Sequence, residues 1–370
     1  MTFFFILLLL YIGIVCIQVT YHLVFLFFFS IKKQKPSAGK NIPLSVIICA
    51  KNEAQNLEKN LPLVLNQNYP EFELVLVNDS SSDSTLKVMK AFSAKHQNIK
   101  IVDVKNIEAF WGNKKYALTL GIKASTHDFL VFTDADCAPL SQNWLKEMSS
   151  KFSNQKAIVL GYGAYEKIKG SILNKLIRFE TLLTAIQYFS YAQLGTPYMG
   201  VGRNMAYRKS LFFNNSGFNS HMHVKSGDDD LFINEVANNK NTATSYSPES
   251  FTISTPKKSF KHWLLQKRRH VSTAKYYKSM HKVLLALFYA TQLLFWLLSI
   301  ALLVSGYQWG VVCILIITRF LFQLLNFGLA AKKMKELDLL FLAPLLELFL
   351  ISVQLIIFIA NQISKPKYWK

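Results

Sequence analysis

The sequence predicts an α/β domain built on a mostly parallel β-sheet and joined at both ends to transmembrane helices. Between residues 43 and 162, short apolar runs alternate with amphipathic stretches of helical period, which is typical of helices that connect parallel strands. On both sides of this domain the chain is almost wholly apolar over lengths that can cross a bilayer. Together these two observations predict a globular domain held at a membrane.

Within the domain, the predicted strands and helices alternate along the chain. Strands are predicted at 44–49, 73–77, 99–104, 129–133 and 157–162, and helices at 53–67, 84–96, 114–124 and 141–152. Charged residues follow several of these strands directly, and ligands of parallel sheets bind where the carboxyl ends of the strands converge. We therefore expect the functional site at this edge of the sheet.

The same pattern sets the boundaries of the regions. Residues 1–31 are expected to form a retained transmembrane anchor, because the apolar run lacks the basic start and the cleavage site of a signal peptide. The α/β domain occupies 41–255, a basic amphipathic segment suited to a membrane interface occupies 256–282, and about three transmembrane helices occupy 283–361.

Two ionisable residues fall inside the C-terminal apolar spans. Arg319 and Glu347 are costly in a bilayer, and we expect them to pair across adjacent helices. Pro344 either kinks or breaks the last span or makes it re-entrant. The total number of spans therefore stays open at roughly three to five.

The basic residues lie mainly beside the apolar runs. Lys and Arg number 42 against 22 Asp and Glu, and this net charge of +20 fits the anionic inner face of a membrane. Helix-turn-helix, zinc-finger and RNA-binding signatures are lacking, so we expect no nucleic-acid partner. The lysines that follow the first apolar run predict a cytoplasmic α/β domain in an integral protein of the bacterial cytoplasmic membrane.

One pair of carboxylates has the spacing of a cation site. Asp134 and Asp136 end the apolar run DFLVFTDAD, and residues two apart project from the same face of a strand. Mg²⁺ and Mn²⁺ prefer oxygen ligands and complete their shells with substrate phosphates. The pair therefore predicts transfer from a diphosphate donor, although a turn leading into Pro139 would also explain it.

Six ordered segments carry a resemblance to a known family. They are PLSVIICAKNEAQNL, LVLVNDSSSDST, GNKKYAL, FLVFTDADCAP, SGDDDL and QKRRH, and they cover about Pro43 to Tyr277. They resemble the membrane-associated family 2 glycosyltransferases with the GT-A fold, the group of cellulose synthase, hyaluronan synthase and ceramide glucosyltransferase. The resemblance implies a nucleotide-sugar donor, usually a UDP-sugar, an inverting mechanism and a divalent metal, Mg²⁺ or Mn²⁺.

The resemblance implies donor contacts for the residues after the first two strands. Asp79 would bond the nucleobase, and Lys51 and Glu53 would lie against the nucleotide. Each acid also has a structural alternative. Asp79 could cap the following turn, and Glu53 could serve the dipole of the helix that begins there.

Four further residues are implied at the diphosphate. Asp136 would bind the metal and Asp134 the ribose or a metal-bound water, while Lys114 and Lys115 would contact phosphates as point charges. A solvated start to a helix is the alternative interpretation of the two lysines.

The acceptor side is implied by two later segments. Asp228, Asp229 and Asp230 supply the base that takes the acceptor proton, with Asp229 favoured and the register open by one residue. Acids at a helix N-terminus also suit capping and the macrodipole. Arg203 would touch sugar hydroxyls unless it packs in the loop.

The basic segment contains an element similar to the family's Gln-x-x-Arg-Trp motif. Gln266, Arg268 and Arg269 would close over the diphosphate, and a guanidinium suits bidentate phosphate contact. His270 stands where the family has tryptophan, so acceptor stacking by that ring is not carried over.

These features predict a membrane-bound inverting glycosyltransferase. It would move a sugar from a nucleotide-diphosphate donor to a lipid-linked or membrane-presented glycan acceptor, with membrane lipids as partners. A processive polysaccharide synthase is the alternative enzyme, and a catalytically inactive nucleotide-binding scaffold is the alternative of another class. The sequence leaves the oligomeric state and the donor sugar open.

Overall fold

The fold is seen in a computed structural model that describes residues 2–31, 41–105 and 114–364. The basic flank of the anchor and the start of the GNKKYAL segment lie outside these ranges. The strands are β1 (Leu44–Ala50), β2 (Phe72–Asp79), β3 (Ile99–Val104), β4 (Phe129–Asp134), β5 (Cys137–Pro139), β6 (Ile158–Leu160), β7 (Gly163–Tyr165), β8 (Met205–Arg208), β9 (Thr242–Thr244) and β10 (Thr252–Ser254).

Seven strands form the main sheet, in the order β3-β2-β1-β4-β8-β6-β9. Strands β3, β2, β1 and β4 run parallel, β8 runs antiparallel to both of its neighbours, and β9 pairs parallel with β6. Strands β5, β10 and β7 form a second, small sheet. The predicted α/β fold with a mostly parallel sheet is confirmed.

The helices are α1 (Thr2–Phe25), α2 (Ala54–Leu65), α3 (Thr85–Ser93), α4 (Lys114–Ala124), α5 (Trp144–Ser149), α6 (Ile172–Leu194), α7 (Lys209–Asn214), α8 (Asp230–Val236), α9 (Phe260–Val271), α10 (Ser279–Ser305), α11 (Trp309–Lys333) and α12 (Ala343–Ile363). Helix α1 continues as a π-helix over Leu26–Ile31, and a 3₁₀ turn over Leu337–Leu342 precedes α12.

Successive side chains of the central strands point to opposite faces of the sheet, so the interior has two hydrophobic cores. In β1, Ile47 joins the core under α4 and α6, whereas Val46 and Ile48 join the core under α2 and α5. Both faces are covered, which explains why these strands are continuously apolar. Helix α4 approaches the sheet closely at Gly121, where an added Cβ would lie 2.6 Å from the Val77 side chain.

Four helices in the described ranges are long and apolar enough to cross a membrane, namely α1, α10, α11 and α12 with its preceding turn. Pro344 lies in the first turn of α12, where proline is tolerated, and does not interrupt the helix. Arg319 on α11 and Glu347 on α12 are both buried, and their closest N–O distance is 2.6 Å. The predicted pairing of these two residues is confirmed.

The loop between α11 and α12 is fixed to the α/β domain. Arg178 on α6 forms a buried ion pair with Glu336 and donates to Asp338 at 2.7 Å. Lys167 donates to the same Asp338 carboxylate at 2.7 Å. This loop therefore lies on the side of the membrane helices that carries the domain.

Candidate active site

The candidate site lies at the carboxyl edge of the parallel strands. The register of β1 with β4 places Cys49 beside Asp134, and β2 ends at Asp79 next to β1. The chain turns sharply after β1 and β2 at Asn52 and Ser80, which have φ angles of 56° and 50°. These left-handed turns, which asparagine tolerates better than most residues, bring the polar loops over the edge of the sheet.

A cavity of about 530 Å³ opens at this edge. Twelve of the predicted site residues line it: Lys51, Glu53, Asp79, Lys114, Asp134, Asp136, Arg203, Asp228, Asp229, Asp230, Gln266 and Arg269. Lys115 and Arg268 do not line it. Acidic side chains from separate loops thus meet in one cleft.

Lys114 joins the two acidic groups of the cleft. Its Nζ lies 2.8 Å from Asp134 Oδ1 and 2.9 Å from Asp228 Oδ2. Burial would lower the pKa of Lys114, but these carboxylates raise it well above its ordinary value. The side chain is therefore a fixed positive charge between the strand-end pair and the acidic cluster.

A hydrogen bond from α2 fixes the turn that carries Asp134 and Asp136. Asn60 on α2 donates to the carbonyl oxygen of Ala135 at 2.9 Å, which fixes the residue between them. Ligand atoms of Asp134, Asp136 and Cys137 lie within 4.8 Å of one another. The two carboxylates fit a hard divalent cation. The Cys137 thiol is instead hydrogen-bonded to Ser254, and burial and Asp136 raise its pKa.

Asp79 is almost buried, with 7% of its surface exposed. Burial raises the pKa of its carboxyl group, and Lys51 and Lys114 oppose that shift. The adjacent Asn78 donates to Asp103 at 2.7 Å and accepts from the Ser81 amide, so other residues organise this turn. Asp79 itself faces the cavity.

Asp229 has the geometry of an oriented proton acceptor. Its carboxylate accepts hydrogen bonds from the amide of Gly202 at 2.7 Å and from the amide of Asp230 at 2.8 Å. Burial and the neighbouring Asp228 and Asp230 carboxylates raise the pKa of Asp229 to about 7. Such a group gains a proton readily near neutral pH and remains partly ionised there.

Asp230 is engaged differently from its neighbour. One carboxylate oxygen accepts from the Leu231 amide at 2.8 Å, and the other accepts from Thr273 and from the Tyr277 hydroxyl, the latter at 2.7 Å. These bonds tie the start of α8 to the segment between α9 and α10. Asp230 therefore supports the cluster, and Asp229 is the carboxylate better placed for proton transfer.

Lys115 is turned away from the cavity and is 1% exposed. Its Nζ donates to the carbonyl oxygens of His221, Val224 and Ser226 at 2.7, 2.9 and 2.8 Å. The structure thus does not bring Lys115 to the predicted phosphate site. It holds the loop that leads into the acidic cluster.

Helix α9 contributes Gln266 and Arg269 to the lining of the cavity. Arg268 points to the other side, where it donates to the Ala360 and Ser364 carbonyl oxygens at 3.0 and 2.7 Å. Arg268 and Arg269 project in different directions, because consecutive residues lie about 100° apart around an α-helix. Arg268 fixes α9 to the end of α12.

Arg203 lines the cavity beside the small sheet. Its guanidinium lies 4.3 Å from the ring centre of Tyr165, and its carbonyl oxygen accepts from Thr133 and Thr252. The neighbouring Asn204 is fully buried and bonds the Tyr162 and Ser250 carbonyl oxygens, so it belongs to the core.

Several residues of the cavity wall were missed from the sequence. Helix α6 contributes Glu180, Thr184 and Gln187, and α12 contributes Gln354. The available signal was a set of polar residues at helical spacing in the apolar stretches ETLLTAIQ and ISVQL.

The comparisons with known proteins agree with this fold. Residues 45–213 match the family model of glycosyl transferase family 2. Glycosyltransferase AglE of Haloferax volcanii is 34% identical over 32% of this chain and 38% of its own length. Poly-beta-1,6-N-acetyl-D-glucosamine synthase of Staphylococcus epidermidis is 34% identical over 25% of this chain and 21% of its own length.

A solved structure matches over most of the chain. The mannosyltransferase PcManGT from Pyrobaculum calidifontis, in complex with GDP-Man and Mn²⁺, superposes with a TM-score of 0.58 at 18% identity, covering 93% of this chain and 97% of the other. This likeness defines the fold class, a GT-A domain with membrane-type helices. Residues 45–213 are similar to the glycosyl transferase family 2 domain. It spans less than half the length of the first two curated relatives.

Proposed function

We propose that this protein is a membrane-bound inverting glycosyltransferase. It transfers a sugar from a nucleotide-diphosphate donor, a UDP-sugar, to a lipid-linked or membrane-presented acceptor. The observation that carries the proposal is the meeting of Asp134, Asp136 and Asp229 in one cavity with cations on the same walls. An inactive scaffold would not require a carboxylate oriented by two backbone amides. The geometry of Asp229 therefore favours an enzyme.

In the proposed reaction, an acceptor hydroxyl attacks the anomeric carbon of the donor sugar. The bond from that carbon to the diphosphate oxygen breaks, and the nucleotide diphosphate leaves with the bonding electron pair. Asp229 takes the proton of the attacking hydroxyl. Attack on the face opposite the diphosphate inverts the configuration of the sugar.

Asp134 and Asp136 would hold Mg²⁺ or Mn²⁺, which would supply Lewis-acid stabilisation of the departing diphosphate. Lys114 would contribute a fixed positive charge at the same place, since it already contacts Asp134. Asp79, Lys51 and Glu53 would bind the nucleoside end of the donor.

The acceptor side of the cavity supports a membrane-presented substrate. Beyond Asp229 the cavity continues between α6, α10 and α12, two of which are candidate membrane spans. The basic end of α11, with Lys332 and Lys333, and Lys335 just after it lie on the domain side of the spans. The preference for basic loops on the inside therefore supports a domain in the cytoplasm.

The test is turnover by the purified full chain in detergent with Mn²⁺, native lipid extract and a panel of nucleotide sugars. Asp136→Asn and Asp229→Asn are each expected to fold and to release nucleotide diphosphate about a hundredfold more slowly than the wild type. Glu58→Gln, which removes an exposed acid on α2, is the matched control and is expected to be fully active.

Normal turnover by Asp136→Asn would overturn the metal assignment, and normal turnover by Asp229→Asn would overturn the base. Product length separates single addition from processive synthesis. We expect one added sugar, because four spans are few for a wide channel, whereas a ladder of products would identify a polysaccharide synthase.

A further inference from the structure

The cavity has two chemically different halves. The loops of the α/β domain and α9 contribute the positively charged groups of the lining, among them Lys114, Arg203 and Arg269. The wall formed by α6, α10 and α12 contributes no Lys, Arg or His among the described residues. The residues it does contribute include Glu180, Thr184, Gln187, Gln354 and Phe358.

Three polar side chains of this wall have unused hydrogen-bonding capacity. Thr184, Gln187 and Gln354 are half-buried and form no side-chain hydrogen bond to another described residue. Tyr162, which also lines the cavity, is 1% exposed and its hydroxyl has no partner in the described part of the chain. Because these polar groups line the cavity and are not engaged by other described residues, this wall is suited to a ligand that donates and accepts hydrogen bonds.

The charge of the wall argues against an anionic ligand group there. Among the described residues of this wall, Glu180 is the one side chain that is charged at neutral pH, and it is paired with Lys267 of α9. A phosphate bound by these three helices would meet one acid and no cationic side chain of theirs, which is unfavourable. Amide and hydroxyl groups instead match the hydroxyl groups of a sugar.

The apolar part of the wall continues to the bilayer-facing surface. Phe358 of α12 lines the cavity and is 57% exposed, so this part of the wall reaches the outer surface of the helices. Deeper in the bundle the two helices are bridged, because Tyr289 donates to the Ile351 carbonyl oxygen at 3.2 Å and Gln292 donates to Glu347 at 2.8 Å. A hydrocarbon chain can therefore leave the cavity sideways into lipid.

We propose that the wall of α6, α10 and α12 binds an uncharged, hydroxyl-bearing sugar headgroup of a membrane lipid, with Thr184, Gln187 and Gln354 as its hydrogen-bonding residues. The proposal rests on the proposed function, since it names the acceptor class of the same site. It also agrees with Asp229 as a base. An alcohol must lose a proton when it attacks, whereas a lipid phosphate is already anionic and needs no base.

The test is binding, which requires no turnover. The full chain is reconstituted in phosphatidylcholine nanodiscs, and its affinity for a fluorescent monoglucosyl diacylglycerol is measured and compared with its affinity for a polyprenyl phosphate. The glycolipid is expected to bind at least about tenfold more tightly, because each unsatisfied hydrogen-bonding group contributes severalfold to affinity. Equal or tighter binding of the polyprenyl phosphate would overturn the proposal on the wild-type protein alone.

Two variants, one in the wall and one control, test which residues bind the sugar headgroup. Gln187→Met combined with Gln354→Met is expected to weaken glycolipid binding about tenfold, since methionine preserves the shape and removes the amide. Ser352→Ala, on the exposed side of α12, is expected to leave binding unchanged. Unchanged binding by the double variant would refute the assignment.

Release of nucleotide diphosphate is measured in the same nanodiscs. Its absence with every donor would contradict the proposed function, while the binding results would still decide the nature of the headgroup.

Discussion

At the scale of single residues, the ionisation of Asp229 governs the proposed chemistry. A general base is active when it is deprotonated, and the pKa of Asp229 is raised to about 7. Activity is therefore expected to fall as the pH decreases through about 7, with kcat/KM for the acceptor about tenfold lower at about pH 6 than at about pH 8. The charged and polar groups around it are Asp228, Asp230, Lys114, Lys115, Arg269, Tyr277 and the Gly202 amide.

Asp79 provides the control for this pH profile, because burial raises the pKa of its carboxyl group as well. Asp79→Asn is expected to raise the donor KM and to keep the same acidic limb. If the acidic limb disappeared in Asp79→Asn, the titrating group would be Asp79 and not Asp229.

Lys115 is a buried lysine that fixes the loop before the acidic cluster without lining the cavity. Lys115→Met removes three hydrogen bonds to carbonyl oxygens of the loop before the acidic cluster. The free energy of unfolding is expected to fall by about 3 kcal/mol, because buried carbonyl groups lose their partner. Thermal unfolding in detergent measures this loss. Lys123→Met, an exposed lysine on the same helix, is the control, and equal melting temperatures for the two variants would refute the role.

At the scale of elements, the segment between α9 and α10 connects the acidic cluster to the membrane helices. Tyr277 donates to Asp230 and packs in the core, whereas the adjacent Tyr276 is 45% exposed. Tyr277→Phe is expected to lower kcat about tenfold while the donor KM stays unchanged, because the start of α8 loses a hydrogen bond to a charged group. Steady-state kinetics of Tyr277→Phe and Tyr276→Phe, side by side, test this. An equal loss of kcat in both variants would show that the Tyr277 hydroxyl has no specific role.

The parallel strands and the helices between them could be predicted from the sequence because their apolar periodicity is local. The strands predicted from 44, 99 and 129 begin at those residues in the structure, and α4 occupies the predicted 114–124. The antiparallel strand β8 in the main sheet depends on long-range pairing with β4 and β6, which no local pattern encodes.

The same distinction separates the predicted site residues from the missed ones. Acids at strand ends converge as a consequence of sheet topology, so Asp134 and Asp136 could be found. The direction of a side chain on a helix depends on rotation about its axis, which is why Lys115 and Arg268 could not be told from Lys114 and Arg269. Gln187 and Gln354 come together only through the packing of α6 against α12.

At the scale of the whole molecule, one polar network joins the four candidate membrane spans of the described residues. Arg319 of α11 is bonded to both oxygens of Glu347 on α12 at 2.6 and 2.8 Å and to Gln18 of α1 at 3.3 Å. Glu347 also accepts from Gln292 of α10. Gln292 lines the cavity, so this network positions the floor of the proposed acceptor site.

The network predicts a specific pattern of stabilities. Arg319→Met or Glu347→Met alone leaves a buried charge without its partner, and each is expected to lower the free energy of unfolding by about 3–5 kcal/mol. The double variant removes both charges and is expected to recover most of that loss, since apolar replacement of a whole buried pair costs little. Thermal unfolding in detergent compares the three variants with Thr318→Val, a neighbouring change outside the network. Additive losses in the double variant, or an Arg319→Met protein as stable and active as the wild type, would mean that the pair does not hold the bundle together. In that case the position of Gln292 would have to be set by helix packing alone.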